Sequence, residues 1–293
     1  MNNPLLKTAS LAIILTGALA FTARAEQLFD WTTATEGTDI FAAGGSGTGA
    51  GGTGSGRFFY GGSNPVPVPH TKLQFQNGST AANTLDYFTG KFESRTLTTV
   101  GDKLTLGFTA TISNLRTDTV QTLRVGLFNT AGTTSGFGNA TGYRADYGAS
   151  GTGNGIRERI GTNNVLWASG DTSPLVGEQD SSNFIFVPVS GSEYSGSFTV
   201  ELLSGNRVSV TSTIGSVTAT SIIDNDTPFT TFNAFSFFII NDSSGNRSDI
   251  NFSNLSVEFT AGSTIPEPST WTLLAGASVV VLAAMLRKFR KHP

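Results

Sequence analysis

Between residues 104 and 112 the chain alternates without a break. Leu104, Leu106, Phe108, Ala110 and Ile112 are apolar, and Thr105, Gly107, Thr109 and Thr111 stand between them. Successive side chains of a strand point to opposite faces, so such a run has one buried and one wet face. A helix would scatter the apolar set around its circumference, and Thr is a poor helix former. The alternation returns at Leu123, Val125 and Leu127, and again at Tyr194, Phe198, Val200 and Leu202. After Ser204-Gly205-Asn206 it resumes at Val208, Val210 and Ile214, which predicts a hairpin around Gly205-Asn206. Phe235 to Ile240 is apolar except for Ser236 and predicts a central strand covered on both faces. Ile250 and Phe252 share one parity and Leu255, Val257 and Phe259 the other, which predicts a bulge near Ser253-Asn254.

No part of the body shows an 11-residue helical period, and charged residues are only 13% of the chain. Long amphipathic helices need charge on their wet face, so this composition argues against a helical protein. The 22 Phe exclude a wholly disordered chain. More than ten short strands, spaced about 8–12 residues apart, predict an all-β fold, an antiparallel sandwich over residues 26–262. Residues 44–62 hold 10 Gly and predict a long surface loop. The G-x-G-x-x-G at Gly47, Gly49 and Gly52 lacks the strand before and helix after that a dinucleotide site needs.

The two ends differ from the body. Lys7 is followed by an apolar stretch from Ala9 to Phe21 and then by Ala23-Arg24-Ala25. That is the order of a secretory signal peptide over residues 1–25, with signal peptidase cutting after Ala25 and Glu26 opening the mature chain. At the other end Trp271 to Leu286 is 16 residues without charge, followed by Arg287, Lys288, Arg290 and Lys291. As a helix the run is about 24 Å long against a hydrocarbon core of about 30 Å, a short span with a basic stop. Lys and Arg stay cytoplasmic, so the body is expected outside the cytoplasm. Without the two basic ends, the body carries 12 Lys and Arg against 20 Asp and Glu. That acidic balance repels phosphate backbones, so no nucleic-acid partner is expected.

Pro266-Glu267-Pro268 precedes the apolar run directly. The triplet, apolar helix and basic tail, residues 263–293, resemble the PEP-CTERM sorting signal of Gram-negative bacteria. The resemblance implies processing by an exosortase, passage through the inner membrane, and a final place at the cell surface or in the extracellular, exopolysaccharide-rich matrix of a biofilm. The two prolines independently favour an extended, accessible segment. In the body, Lys103 to Ile112, Gly142 to Tyr147 and Asp249 to Phe259 resemble, in order and shape, a concanavalin-A-like jelly roll of the laminin-G or legume-lectin type. A galactose-binding-like jelly roll is the rival.

Chemistry-bearing residues are few. The chain has no Cys, and the body's single His, His70, follows Pro69. A thiolate site, a Cys nucleophile and a multi-histidine metal centre are therefore excluded. No G-x-S-x-G elbow occurs. Glycoside hydrolysis needs two carboxylates about 5–9.5 Å apart. Glu193 and Glu201 share a face but lie eight residues apart, and Glu158 between Arg157 and Arg159 reads as a surface ion pair. No catalytic residue and no cofactor are assigned. Asp224, Asp226, Asp242 and Asp249 are oxygen-rich candidates for calcium, against the simpler reading of Asx turns. Tyr143, Arg144, Tyr147 and Trp167 are candidates for a sugar-binding aromatic platform, while Trp167, between Leu166 and Ala168, also reads as core. The expectation is a non-catalytic exported surface or matrix protein. The alternative is a lectin-like carbohydrate-binding module acting on exopolysaccharide, and a glycoside hydrolase is a distant third.

Overall fold

A computed structural model describes residues 25–45, 57–60, 73–77, 85–119, 121–133, 137–150, 153–160, 166–167, 176–177, 181–223, 227–242, 244 and 246–262. They form fourteen strands. In chain order these are β1 (Ala25–Asp30), β2 (Ile40–Gly45), β3 (Arg57–Tyr60), β4 (Leu73–Gln76), β5 (Leu85–Thr96), β6 (Lys103–Ser113) and β7 (Leu123–Asn129). There follow β8 (Thr141–Tyr147), β9 (Gly155–Ile160), β10 (Ser192–Leu203), β11 (Arg207–Ile214), β12 (Val217–Ile223), β13 (Thr231–Ile240) and β14 (Asp249–Thr260). The only helical element among the described residues is a 3₁₀ turn at Ser181–Phe184.

The strands build two sheets in which every strand pair is antiparallel. One sheet has eight strands in the order β12-β11-β10-β6-β14-β4-β3, with β1 beside β4 on the free edge of β14. The other has six, in the order β2-β5-β13-β7-β8-β9. The expected all-β antiparallel sandwich is what the chain forms. The hairpin turns at Ser204–Asn206, where Gly205 and Asn206 both take positive φ. The bulge falls between Phe252 and Asn254 in the pairing of β14 with β6. β13 lies inside its sheet, buried on both faces. The stretch 44–62, expected as loop, differs: Gly44 and Gly45 close β2, and Arg57–Tyr60 is β3. A strand therefore does precede the G-x-G-x-x-G stretch, but the next described element is another strand, not a helix.

The inner faces meet in one core rich in phenylalanine. Phe88 stacks on Phe237 at 5.4 Å, and Phe108 and Phe252 meet Phe237 edge-on at 5.1 and 5.2 Å. Large rings on adjacent strands need room, and three glycines give it, Gly90 and Gly196 on the inner faces and Gly142 on the outer side of the six-stranded sheet. Phe235 faces Gly90, Phe108 faces Gly196 and Phe128 faces Gly142 across paired strands. At Gly90 an added Cβ would lie 2.1 Å from the Phe235 ring, and at Gly196 2.3 Å from the Phe108 ring. Each ring thus covers a glycine that offers no side chain of its own.

Candidate functional site

Two outer sheet faces and a cleft are the places where the described residues could meet a ligand. On the six-stranded sheet, β7, β8 and β9 send Arg124, Arg144, Asp146, Arg157 and Arg159 outward. This face is not wet. Tyr87, Phe128, Phe137, Ala140, Leu166, Trp167 and Phe238 form a second apolar cluster over it. Trp167 donates its indole N–H to Ser236 Oγ at 3.0 Å and accepts at its carbonyl from Arg124 Nη1 at 2.7 Å. Arg124 lies 4.3 Å over the Phe238 ring and Arg144 5.5 Å over Trp167. Asp146, fully buried, is the hub: Oδ1 is 3.0 Å from Arg144 Nε and Oδ2 is 2.9 Å from Arg157 Nε. Burial draws the Arg124 guanidinium down to about 10; Asp146 opposes this, and Arg144 and Arg157 add to it.

The platform expected from the sequence is therefore not a surface. Tyr143 and Tyr147 turn into the main core, fully buried. The Tyr143 hydroxyl accepts from the Phe229 N–H and the Tyr147 hydroxyl donates to Ser212 Oγ, both at 2.7 Å. Burial pushes both phenols well up. Arg144 and Trp167 share the opposite face, closed under the second cluster. The correction has one cause: β8 is covered on both sides, so its polar residues do not mark a wet face. The same cause corrects Glu158. It is buried and pairs in register with Tyr143, on the face opposite Arg157 and Arg159. It is therefore not a surface residue.

The outer face of the eight-stranded sheet is the open one. It presents Thr105, Thr109 and Thr111 on β6, and Ser195, Ser197 and Thr199 on β10. Ser209, Thr211 and Thr213 on β11 and Thr218 and Thr220 on β12 extend it. All are half-buried or exposed. Hydroxyls pair across strands: Thr105 with Thr199 and Thr109 with Ser195 at 3.1 Å, Ser197 with Thr213 at 2.8 Å, and Thr211 with Thr220 at 2.9 Å. A hydroxyl pair spends one proton between its members, so one O–H and several lone pairs remain to meet a ligand. Charges border this field: Glu258 on β14 stands exposed opposite Thr105, and those at β10 are engaged. Glu201 pairs with Lys103 at 3.1 Å, and Glu193 accepts from Ser253 Oγ at 3.0 Å. The alternating threonines of β6 were the visible signal. The strand order that gathers four such strands was not.

A cleft of about 340 Å³ lies between β1, the turn after it and β5. Its acids serve the turn. Asp30 Oδ1 accepts from the Thr32 N–H and hydroxyl at 2.9 and 2.7 Å, and Asp39 Oδ2 from the Thr35 N–H at 2.9 Å. Asp242 likewise closes an Asx turn, accepting from the N–H groups of Ser244 and Asn246 at 3.0 and 3.1 Å. Asp249 starts β14 opposite Gln76 and Ser113. Among the described residues no three His, Cys, Asp or Glu side chains come together to hold a metal. Ala25 is the exposed first residue of β1. Ala23, His70, Asp224, Asp226, Pro266, Glu267, Pro268, the apolar run 271–286 and the basic residues Arg287, Lys288, Arg290 and Lys291 lie outside the described residues. Within the described residues no helix is long and apolar enough to cross a membrane.

No protein-family model and no curated protein sequence matches the chain. Among solved structures it is similar to peanut lectin, at 14% identity and a TM-score of 0.44, over 83% of this chain and all of the lectin. It is similar to a Lotus tetragonolobus seed lectin at 13% identity and a TM-score of 0.43, over 80% of this chain and 97% of that one. A legume lectin-like domain from Entamoeba histolytica matches at 9% identity and a TM-score of 0.37, over 71% of this chain and 90% of that one.

Proposed function

We propose that the chain is an exported, non-catalytic protein of the bacterial surface or matrix whose sandwich binds neutral polysaccharide. One observation carries the binding half: the outer face of β6, β10, β11 and β12 is a field of paired, uncharged hydroxyls. Such a field offers both donors and acceptors, as a polyol does, and its hydroxyls give an ion no counter-charge. The body around it is acidic, which repels an acidic polysaccharide and leaves a neutral one as the fitting ligand. Export rests on the sequence of the two ends, with an exosortase acting near Pro266-Glu267-Pro268.

Two experiments test the halves separately. Replacing Pro266, Glu267 and Pro268 with Ala should leave unprocessed protein in the inner membrane; unchanged processing would remove the sorting assignment. The wild-type chain should be retained on an insoluble neutral glucan and pass through an alginate column. The double variant Thr211→Val, Thr220→Val removes one hydroxyl pair while keeping β-branched side chains, and should weaken retention while keeping the wild-type unfolding midpoint. Equal retention of wild type and variant would sink the hydroxyl-face reading.

A further inference from the structure

The hydroxyls of the open face are not scattered. The strand registers bring Thr105 on β6 opposite Thr199 on β10, Thr199 opposite Thr211 on β11, and Thr211 opposite Thr220 on β12. These threonines thus stand in one row across the strands. Within the row the hydroxyls fall into pairs, Thr105 with Thr199 at 3.1 Å and Thr211 with Thr220 at 2.9 Å. Neighbouring strands lie about 4.8 Å apart, so the pair recurs every second strand, about 9.6 Å along the row. In the next row along the strands, Ser197 and Thr213 pair between β10 and β11 at 2.8 Å, out of step with the first row by one strand. Twist rotates successive strands about an axis that crosses them, so a row through the middle of β11 and β12 stays straight. Lines drawn along the strands fan out instead.

We infer that the ligand of this face is an extended, β-(1→4)-linked neutral glycan that lies across the strands, along the row of Thr105, Thr199, Thr211 and Thr220. The inference rests on the polysaccharide reading of the face. In an extended β-(1→4) chain each sugar is turned over relative to the last, so the same edge returns at every second sugar. One sugar advances such a chain by nearly one strand spacing. Each hydroxyl pair of the row then meets the same edge of alternate sugars. Along a strand, by contrast, side chains of one face recur about every 6.8 Å, out of step with that advance. An α-(1→4) chain coils and does not hold its hydroxyls on a straight line of this length. The two ends of the row differ. Glu258 on β14 stands opposite Thr105 and bounds the row with a charge, while β12 is the edge strand of the described sheet. The glycan therefore continues past Thr220, over the β12 edge.

Isothermal titration of the full chain with cellohexaose and with maltohexaose tests this. Cellohexaose should bind several-fold more tightly. Two variants then remove a hydroxyl pair from the same two strands, β6 and β10. Thr105→Val, Thr199→Val lies in the row and should weaken cellohexaose binding about five-fold, the worth of a hydroxyl pair's bonds to a ligand. Thr109→Val, Ser195→Ala lies further along the same strands, off the row, and should leave binding unchanged. Thr105→Ser, Thr199→Ser keeps the hydroxyls and should bind as wild type does. All three chains should keep the wild-type unfolding midpoint. Equal binding of the two oligosaccharides, equal loss from the two pairs, or loss in the Ser variant overturns the row and leaves the neutral-polysaccharide reading standing. Retention on the insoluble glucan with no binding of cellohexaose does the same. A chain that binds neither oligosaccharide and is not retained on the glucan overturns both.

Discussion

Gly196 and Gly107 occupy neighbouring positions of the same strand pair, yet an alanine at each should act with opposite sign. Gly196 faces Phe108, and Gly107 faces Ser197, one residue along the ladder. At Gly196 a Cβ would lie 2.3 Å from Phe108 Cζ, 2.8 Å from Phe108 Cε1 and 2.7 Å from the Thr213 carbonyl oxygen. Ordinary contact begins at 3.4 Å, so the ring must retreat by more than 1 Å and the β11 backbone must give as well. The ring has little room, because Phe237 meets it edge-on at 5.1 Å. Overpacking of this kind costs about 1–3 kcal/mol, and the entropy saved on replacing Gly returns about 0.5–1 kcal/mol. Gly196→Ala should therefore lose about 1–2 kcal/mol. At Gly107 the added Cβ meets only Ser256 Oγ at 3.6 Å, so Gly107→Ala should be neutral or gain up to about 1 kcal/mol. Urea unfolding followed by circular dichroism reads both. Adding Phe108→Leu to Gly196→Ala should show a coupling of about 1 kcal/mol, since it removes the ring but not the Thr213 carbonyl. A Gly196→Ala chain as stable as wild type, or equal losses at both sites, would refute the ring-over-glycine account.

Phe108→Asp should abolish cooperative unfolding, because it places an unpaired carboxylate at a side chain only 4% exposed. Thr109→Asp, on the open face, should shift the midpoint little; equal damage at both would overturn the face assignment. Asp146→Asn removes the carboxylate shared by Arg144 and Arg157 and should cost about 3–5 kcal/mol in the same assay. A change under about 1 kcal/mol would mean that the cluster is held by its apolar cover instead. Burial raises the Asp102 carboxyl, but the N–H groups of Gly262, Thr99 and Thr98 and the Thr98 hydroxyl together bring it below the usual aspartate range. Its stabilisation is thus present above that range and lost as pH falls through the lowered value. Between pH about 5 and 2, Asp102→Asn should flatten the acid limb of the stability curve, and an unchanged limb would remove the assignment.

Legibility in the sequence followed which faces are wet. β6, β10 and β11 each have one open face, so polarity alternates and the period is plain. β7, β8 and β9 are buried on both faces, and their arginines read as solvent-facing when they are not. Only the meeting of Arg124, Arg144 and Arg157 around Asp146, under Trp167, explains that burial, and nothing in local spacing announces it. β1 to β4 are short and lie in or beside glycine- and proline-rich chain, so their pairing depends on β5 and β14 rather than on their own pattern. The open hydroxyl face was half legible. Threonine alternation showed that each strand had a wet side, while the order β12-β11-β10-β6 that joins those sides is a property of topology.

The most direct test of polysaccharide binding by that face is a methyl-threonine NMR titration of the folded chain with a neutral oligosaccharide. The account predicts shifts that saturate together at Thr105, Thr199, Thr211, Thr213 and Thr220, with Thr89 and Thr130 unmoved on the other sheet and the loop after it. Shifts centred on Thr32, Thr33 and Thr35 beside the β1–β5 cleft, or on Thr89 near Trp167, would contradict it, as would a titration that moves no threonine at all.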